Sequence, residues 1–468
     1  MEKIMSLEKE MVALGPRLTG NRAHNAFVDI IKRELQALDY KVYSDKMTMK
    51  KRWEPKEWKL SLDIGGERID IPDVYYFPYS GCTPPEGVSG KLHNAGRNIG
   101  NFLGSNDKIA IISMLVFDAG VGLIFKKRAS YPHGYMPPKK LASPVVSSFV
   151  FPPMLKRAKL MGAKAVICIM HGCSSGNAAW QYLPFITSYQ DCPAVWVDDR
   201  WGNKILEACK KGGTATLTMT ADLIEKSPTE TVYAILKGKS DKETILINTH
   251  TDGTNAFEEN GAIALLSLAN HYKSLPIDKR ERTLVFSFVT GHFQLPQFGS
   301  PLNQATNRFL KKHKELWSGR DGAAKAVAGV SIEHLGCSEW RDTPDHQDFV
   351  QVSDIDPELV FTANKKLSDI YIKALEGRTK VKTLTLKPKN FVYFGEGQPM
   401  YMAGIPTISL VSGPDYLCTN APDGYIDKIN FPLMEEQIIT FQKVIDILDK
   451  ASRTEIGKCE LFDIGFTF

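Results

Sequence analysis

The sequence predicts a three-layer α/β fold, a mixed and mostly parallel sheet with helices on both faces. Two observations predict it. From about residue 230, apolar runs (TVYAILKG, ETILINTH, TLVFSFVTG, AVAGVSIEHLG, PTISLVSG) alternate with longer stretches of helical spacing (ENGAIALLSLANHYKSL, ELVFTANKKLSDIYIKALEG, MEEQIITFQKVIDILDKAS). The runs are apolar at successive positions, the mark of strands covered on both sides. Composition agrees: of 468 residues, 43% are apolar and 24% charged, as in globular chains with a sizeable core.

Taken in order, MEKIMSLEKEM reads as an amphipathic helix and lacks the apolar stretch of a signal peptide. GPRLTGNR is a turn-rich segment. Ala23 to Leu38 then carries apolar residues at 27, 28, 30, 31, 35 and 38, one face at the helical period. YKVYSDKMTM alternates as a strand does, and WKLSLDIGGERIDIP reads as a hairpin about Gly65-Gly66. Residues 76–222 change character: GVSGKLHNAG, KIAIISML, AKAVICIMHG and PAVWVDD are short strands, while LKRAKLMGAKA and NKILEACKKGG are helices. They read as a module inserted between 1–75 and 223–468.

Several function classes drop out. The net charge of +5 is small for this length, and no basic stripe suggests nucleic acid or a membrane surface. No run of about eighteen apolar residues exists. The eight cysteines are sparse and irregular, so free thiols in a reducing cytosol are expected and the location is read as cytoplasmic.

The chemistry-bearing residues stand where three strands end: His250, His292 and the Glu333-His334 pair. In open α/β sheets ligands gather at carboxyl ends of strands. The loop after His250 adds Asp252, Glu258 and Glu259. Imidazole and carboxylate converging on one edge suit zinc or another divalent ion. Asp252, two residues past His250, is placed to orient that ring. Gly172-Cys173-Ser174-Ser175-Gly176 matches G-x-S-x-G but falls in the inserted module, and reads as a loop. Cys168, His171 and Cys173 lack a second cluster, and RFLKKHKELW reads as a solvated helix face.

These segments resemble the zinc aminopeptidase and glutamate carboxypeptidase-like metallopeptidases over nearly the whole chain. ALGPRLTGNRAHNAFVDIIKRELQALDYKV resembles that family's opening. GVSGKLHN, LKRAKLMGAKAVICI and PAVWVDDRWGNKIL resemble a protease-associated (PA) domain, mainly β, often inserted in these enzymes. INTHTDGTNAFEENGAIALL, LVFSFVTGHFQLPQFGS, GVSIEHLG and AGIPTISL resemble the metal-binding segments. The resemblance implies an aminopeptidase-like (phosphorylase/hydrolase-like) fold. By position His250 matches the first metal ligand and Asp252 its partner. Glu258 falls at the bridging carboxylate, with Glu259 the fallback, and Glu333 at an acidic ligand.

The pattern also departs from the family. Gly291-His292-Phe293 stands in place of Gly-Glu-Glu, so His292 occupies the position of the general base. Near the last metal His, the chain has Cys418, Thr419 and Asn420. The implied site is mononuclear: His250, Glu258 and Glu333 hold one Zn²⁺ or similar ion. His292 serves as base or extra ligand, Cys418 is open as a thiolate ligand, and His334 or Glu396 assists. The expected activity is hydrolysis of a peptide or small amide, with self-association left open. The alternatives are a catalytically inactive binding or regulatory homologue, and a lyase-like enzyme on the same fold.

Overall fold

Residues 282–289, RTLVFSFV, are buried at every position, so this strand needs cover on both faces. The computed structural model, which describes residues 1–120, 122, 125–136, 140–299 and 303–462, supplies it. Nineteen strands are formed among the described residues. They are β1 (Val42–Ile64), β2 (Glu67–Ile71), β3 (Val74–Tyr76), β4 (Val88–Arg97), β5 (Ile109–Leu115), β6 (Asp118–Gly120) and β7 (Phe125–Tyr131). Then come β8 (Lys140–Ala142), β9 (Ala165–His171), β10 (Ala194–Val197), β11 (Thr214–Leu236), β12 (Ser240–His250) and β13 (Arg282–Val289). The last are β14 (Lys325–Glu333), β15 (Glu339–Asp342), β16 (Phe349–Ser353), β17 (Glu358–Thr362), β18 (Thr383–Pro388) and β19 (Thr407–Val411).

One continuous sheet runs β3-β10-β9-β5-β4-β11-β13-β12-β14-β19-β17-β18-β7. At its centre β13, β12, β14 and β19 are parallel neighbours, so their carboxyl ends open on one edge. β11 and β17 flank them antiparallel, which makes the sheet mixed, as expected. Helices Arg22–Ala37, Gly261–Ser274 and Phe431–Lys450 join one apolar core with these strands through Phe27, Ile31, Leu265, Phe441 and Ile445. Residues 305–312 and 397–402 contribute Phe309 and Met400 to a second cluster with Val285 and Leu246. No helix among the described residues is long and apolar enough to cross a membrane.

The Gly65-Gly66 hairpin forms as read: Leu60 pairs with Ile71 and Ile64 with Glu67. Other elements differ from the sequence reading. ELVFTANKKLSDIYIKALEG begins as strand, not helix. Glu358–Thr362 pairs with both β18 and β19, and the helix starts at Lys365, where the Asn364 side chain accepts the Leu367 N–H at 2.9 Å. The β-branched and aromatic residues of ELVFT fit the pleated surface, and the Asn supplies the boundary. Strand pairing also links the segment 76–222 to the rest of the chain. The 23-residue β1 and β11 pair along almost their full length, and β7 crosses to the far side of the sheet to pair with β18.

The G-x-S-x-G segment forms a cap. Ser174 accepts the Asn177 N–H at 3.1 Å, beginning the four-residue helix Ser175–Ala178, and its hydroxyl donates to Asp342 at 2.6 Å. It is buried and tethers this segment to β15. His171 is turned to Asp199 at 2.6 Å.

Candidate metal centre

Because β12, β14 and β13 lie side by side, His250, Glu333-His334 and His292 arrive at one edge together. All are buried; His292, at 8% exposure, is the most accessible. The two loops that complete the site are pinned to each other. The Asn255 amide donates to the carbonyls of Tyr416, Leu417 and Thr419 at 3.0, 2.7 and 3.1 Å. Glu258 is thereby carried over the strand ends.

Each imidazole is set by one fixed partner. His250 Nδ1 faces the Asp252 main-chain carbonyl at 2.9 Å. His334 Nδ1 faces the Ser412 carbonyl at 2.6 Å. Both rings donate from Nδ1 and present an unprotonated Nε2 inward. His334 achieves this from a left-handed backbone, φ 58°, a conformation few non-glycine residues adopt. Burial holds both rings well below the usual imidazole range, and the neighbouring histidines add to this. They are neutral ligands-in-waiting at pH 7.

The Asp252 carboxylate does something other than orient His250. It accepts the main-chain N–H groups of Gly291, His292 and Phe293 at 3.1, 3.3 and 2.8 Å, with Thr19 also donating to it. The orienting atom is the Asp252 carbonyl; the carboxylate holds the turn that bears His292.

Four inward atoms lack a partner: His250 Nε2, His334 Nε2, Glu258 Oε2 and Glu333 Oε2. His250 Nε2 lies 3.7 Å from Glu333 Oε2, and His334 Nε2 lies 3.5 Å from Glu258 Oε2. Ligands at ~2.0–2.2 Å around a tetrahedral ion sit roughly 3.3–3.6 Å apart. Buried polar atoms left unpaired each cost about 1–3 kcal/mol. A divalent cation is a partner that would satisfy such lone pairs, and His250, Glu333 and His334 lie close enough together to share one. Two overlapping ligand groups share His250: His250, Glu333 and His334, and His250, Glu258 and His292. Among the described residues Cys418 belongs to neither group, and burial pushes its thiol well up, away from a thiolate.

His292 and Glu396 form a separate pair. His292 Nδ1 meets Glu396 Oε1 at 2.7 Å, and the other Glu396 oxygen accepts the Thr306 N–H at 2.7 Å. Burial works against the imidazolium, yet the bond and charge of Glu396, with Glu333 and Glu258, carry His292 up to about 9. Burial likewise opposes ionisation of Glu396, but His292 and Thr306 hold it down to about 2. The close approach depends on Gly395 (φ 77°): a Cβ there would lie 2.6 Å from Glu333 Oε2, blocking the path by which the Glu396 N–H reaches Glu333 Oε1 at 2.7 Å.

Glu259 points elsewhere. It pairs with Arg17, whose guanidinium also donates to the carbonyls of Gly15 and Asn255. Both side chains are essentially inaccessible. Arg17 was legible only as part of the GPRLTGNR turn, and the Ser412 carbonyl carried no side-chain signal at all. Removing one partner of such a pair costs about 3–5 kcal/mol. Arg17→Met is therefore expected to lower the urea unfolding free energy by about that amount, and Arg17→Met with Glu259→Gln to recover most of it.

Phe185, from the segment 76–222, lies over this edge. It stacks on His292 at 5.9 Å and lies tilted against Phe293 at 4.8 Å. The Gln294 N–H and side-chain amide both donate to the Phe185 carbonyl, at 3.2 and 3.0 Å.

No family model and no curated protein matches the sequence. Solved structures do. A zinc aminopeptidase from Bacillus subtilis, BSAP, is similar over 97% of both chains, with a TM-score of 0.61 and 16% identity. A peptidase M28 precursor from Shewanella amazonensis covers 96% of this chain and 94% of its own, with a TM-score of 0.65 and 18% identity. The fold is that of the zinc aminopeptidases. An aminopeptidase from Aneurinibacillus sp. strain AM-1 agrees, with a TM-score of 0.59, 16% identity and coverage of 96% and 93%.

Proposed function

We propose that this protein is a metal-dependent hydrolase of peptide or small amide bonds with a single, altered metal centre. The observation that supports the reading is the triad His250, Glu333 and His334 at one sheet edge, whose inward Nε2, Oε2 and Nε2 atoms are buried without a hydrogen-bond partner, with Glu258 beside it. Zinc fits this donor set best. His334 joins the ligands in this reading, with Glu258 beside its Nε2 at 3.5 Å. The aminopeptidase-like fold supports peptide or amide substrates, and residues 76–222, through Phe185, cover the entrance.

A divalent ion held by His250, Glu333 and His334 would keep a fourth position open, where it would polarise the scissile carbonyl or acidify a water, and its positive charge would oppose protonation of His292. The remaining steps belong to the chain. Glu396 fixes His292 through Nδ1, so Nε2 is the atom that exchanges protons. Nε2 takes a proton from the attacking water and returns it to the departing amine nitrogen. Asp252 keeps the turn 291–293 in place throughout. Burial keeps bulk water from the proton path.

Elemental analysis of protein purified without chelator tests the reading, followed by hydrolysis assays on dipeptides and aminoacyl amides. About one ion per chain and cleavage of an amide support it. No metal after incubation with zinc or manganese overturns it.

The donor set also dictates a pH dependence. Burial pushes Glu333 up to about 7 and Glu258 well above the usual carboxylate range. Protons therefore occupy these carboxylates in mild acid and compete with the ion. The two ligand imidazoles, already neutral, contribute no competition there. Zinc affinity is expected to rise roughly tenfold or more per pH unit between about pH 5.5 and 7 and to flatten above, read by competition with a chromophoric chelator.

A further inference from the structure

We infer that a second ligand site, for an aromatic amino acid held by its carboxylate, lies in the groove between the β15–β16 hairpin, the short helix Ser175–Ala178 and the loop after β19. None of its lining residues belongs to the metal centre, and the inference does not depend on the reaction proposed above.

The groove is an open one of about 760 Å³, lined by Trp180, Trp340, Phe349 and Tyr425. That volume is of the size that small ligands occupy. The rings are held from behind. Trp340 packs on Phe349 at 5.7 Å, and Trp180 lies edge-on to Tyr75 at 5.1 Å. Aromatic faces in this arrangement accept a flat apolar body between them.

A single cation stands in this apolar setting. Lys428 Nζ sits 3.4 Å from the Trp340 ring centre and 4.6 Å from that of Tyr425. It forms no ion pair among the described residues, and its half-burial lowers its pKa. The rings offset part of the desolvation through cation–π attraction, but the ammonium keeps its hydrogen-bonding capacity unspent. Its main chain is fixed: the Lys428 carbonyl accepts the Ser338 hydroxyl at 2.7 Å. A half-buried ammonium flanked by rings, with Asp423 and Asp427 near it but outside ion-pair distance, has room for the carboxylate of a ligand with an aromatic body. Asp348 and Asp423 line the same groove and favour a ligand that also carries an ammonium. An aromatic amino acid has all three features, whether free or at the carboxyl end of a dipeptide. The loop that lines the groove also touches the metal loop, since the Ala256 N–H donates to the Gly424 carbonyl at 2.9 Å.

Isothermal titration of the intact chain tests this, with L-phenylalanine, the dipeptide Gly-Phe, and phenethylamine, which lacks the carboxylate. Saturable binding is expected for one or both of the carboxylate ligands, the tighter of the two identifying the source. Phenethylamine is expected to bind roughly tenfold or more weakly, and Lys428→Met to weaken phenylalanine by a similar factor, with an unchanged melting temperature. Lys428→Gln serves if the methionine variant does not fold. Absence of saturable binding by either carboxylate, equal binding of phenethylamine, or binding that survives loss of Lys428 would each overturn the site.

Discussion

His250→Ala is expected to remove the metal. His250 belongs to both ligand groups, so no rearrangement of the others replaces it. Loss of a residue that merely supports a ligand costs ~10–100-fold in metal affinity, and loss of this ligand is expected to cost at least about 100-fold. Wild-type protein purified without chelator should carry about one ion per chain and the variant essentially none. Thermal unfolding gives a second readout, independent of activity. A ligand at a hundred times its Kd stabilises the folded state by about 2.7 kcal/mol. Added zinc should therefore raise the melting temperature of the wild type and leave that of the variant unmoved. Equal metal content in the two proteins would place the ion elsewhere.

His292→Ala is expected to lower kcat by about 10²–10⁴-fold, the usual contribution of a positioned acid–base group, while metal content stays at the wild-type level. The two measurements together separate the roles that the sequence left open. Loss of metal along with activity would make His292 a ligand. Retained activity would remove it from proton transfer. The partner gives an intermediate case. Glu396→Gln keeps a group able to accept the Thr306 N–H but discards the charge that raises His292. Its kcat should fall less, and the pH profile should move to lower pH, because a histidine without its carboxylate loses its proton sooner.

Much of this molecule was legible in the residues. The alternation after residue 230 announced a covered parallel sheet, and ETILINTH, TLVFSFVTG and AVAGVSIEHLG end where His250, His292 and Glu333-His334 stand. Periodicity carries that information because burial on both faces requires apolar residues at successive positions. ELVFT was misread because a short apolar run fits either period, and its partners β18 and β19 are distant in the chain. The crossing of β7 to β18 had no local signature for the same reason. The Asp252 main-chain carbonyl meets His250, while its carboxylate binds a turn some forty residues onward.

The sequence by itself determined which chemistry was available: which imidazoles and carboxylates end the strands, and that a histidine stands where a glutamate base was expected. Only the tertiary structure decided how they are arranged. It turned Glu258 inward and gave Glu259 to Arg17. It set His334 beside Glu258 with Nε2 free, and joined His292 to Glu396, 104 residues away. These choices rest on main-chain carbonyls, loop pinning and burial. Each is a contact between segments far apart in the chain, and its energy exists only once the sheet has brought them together.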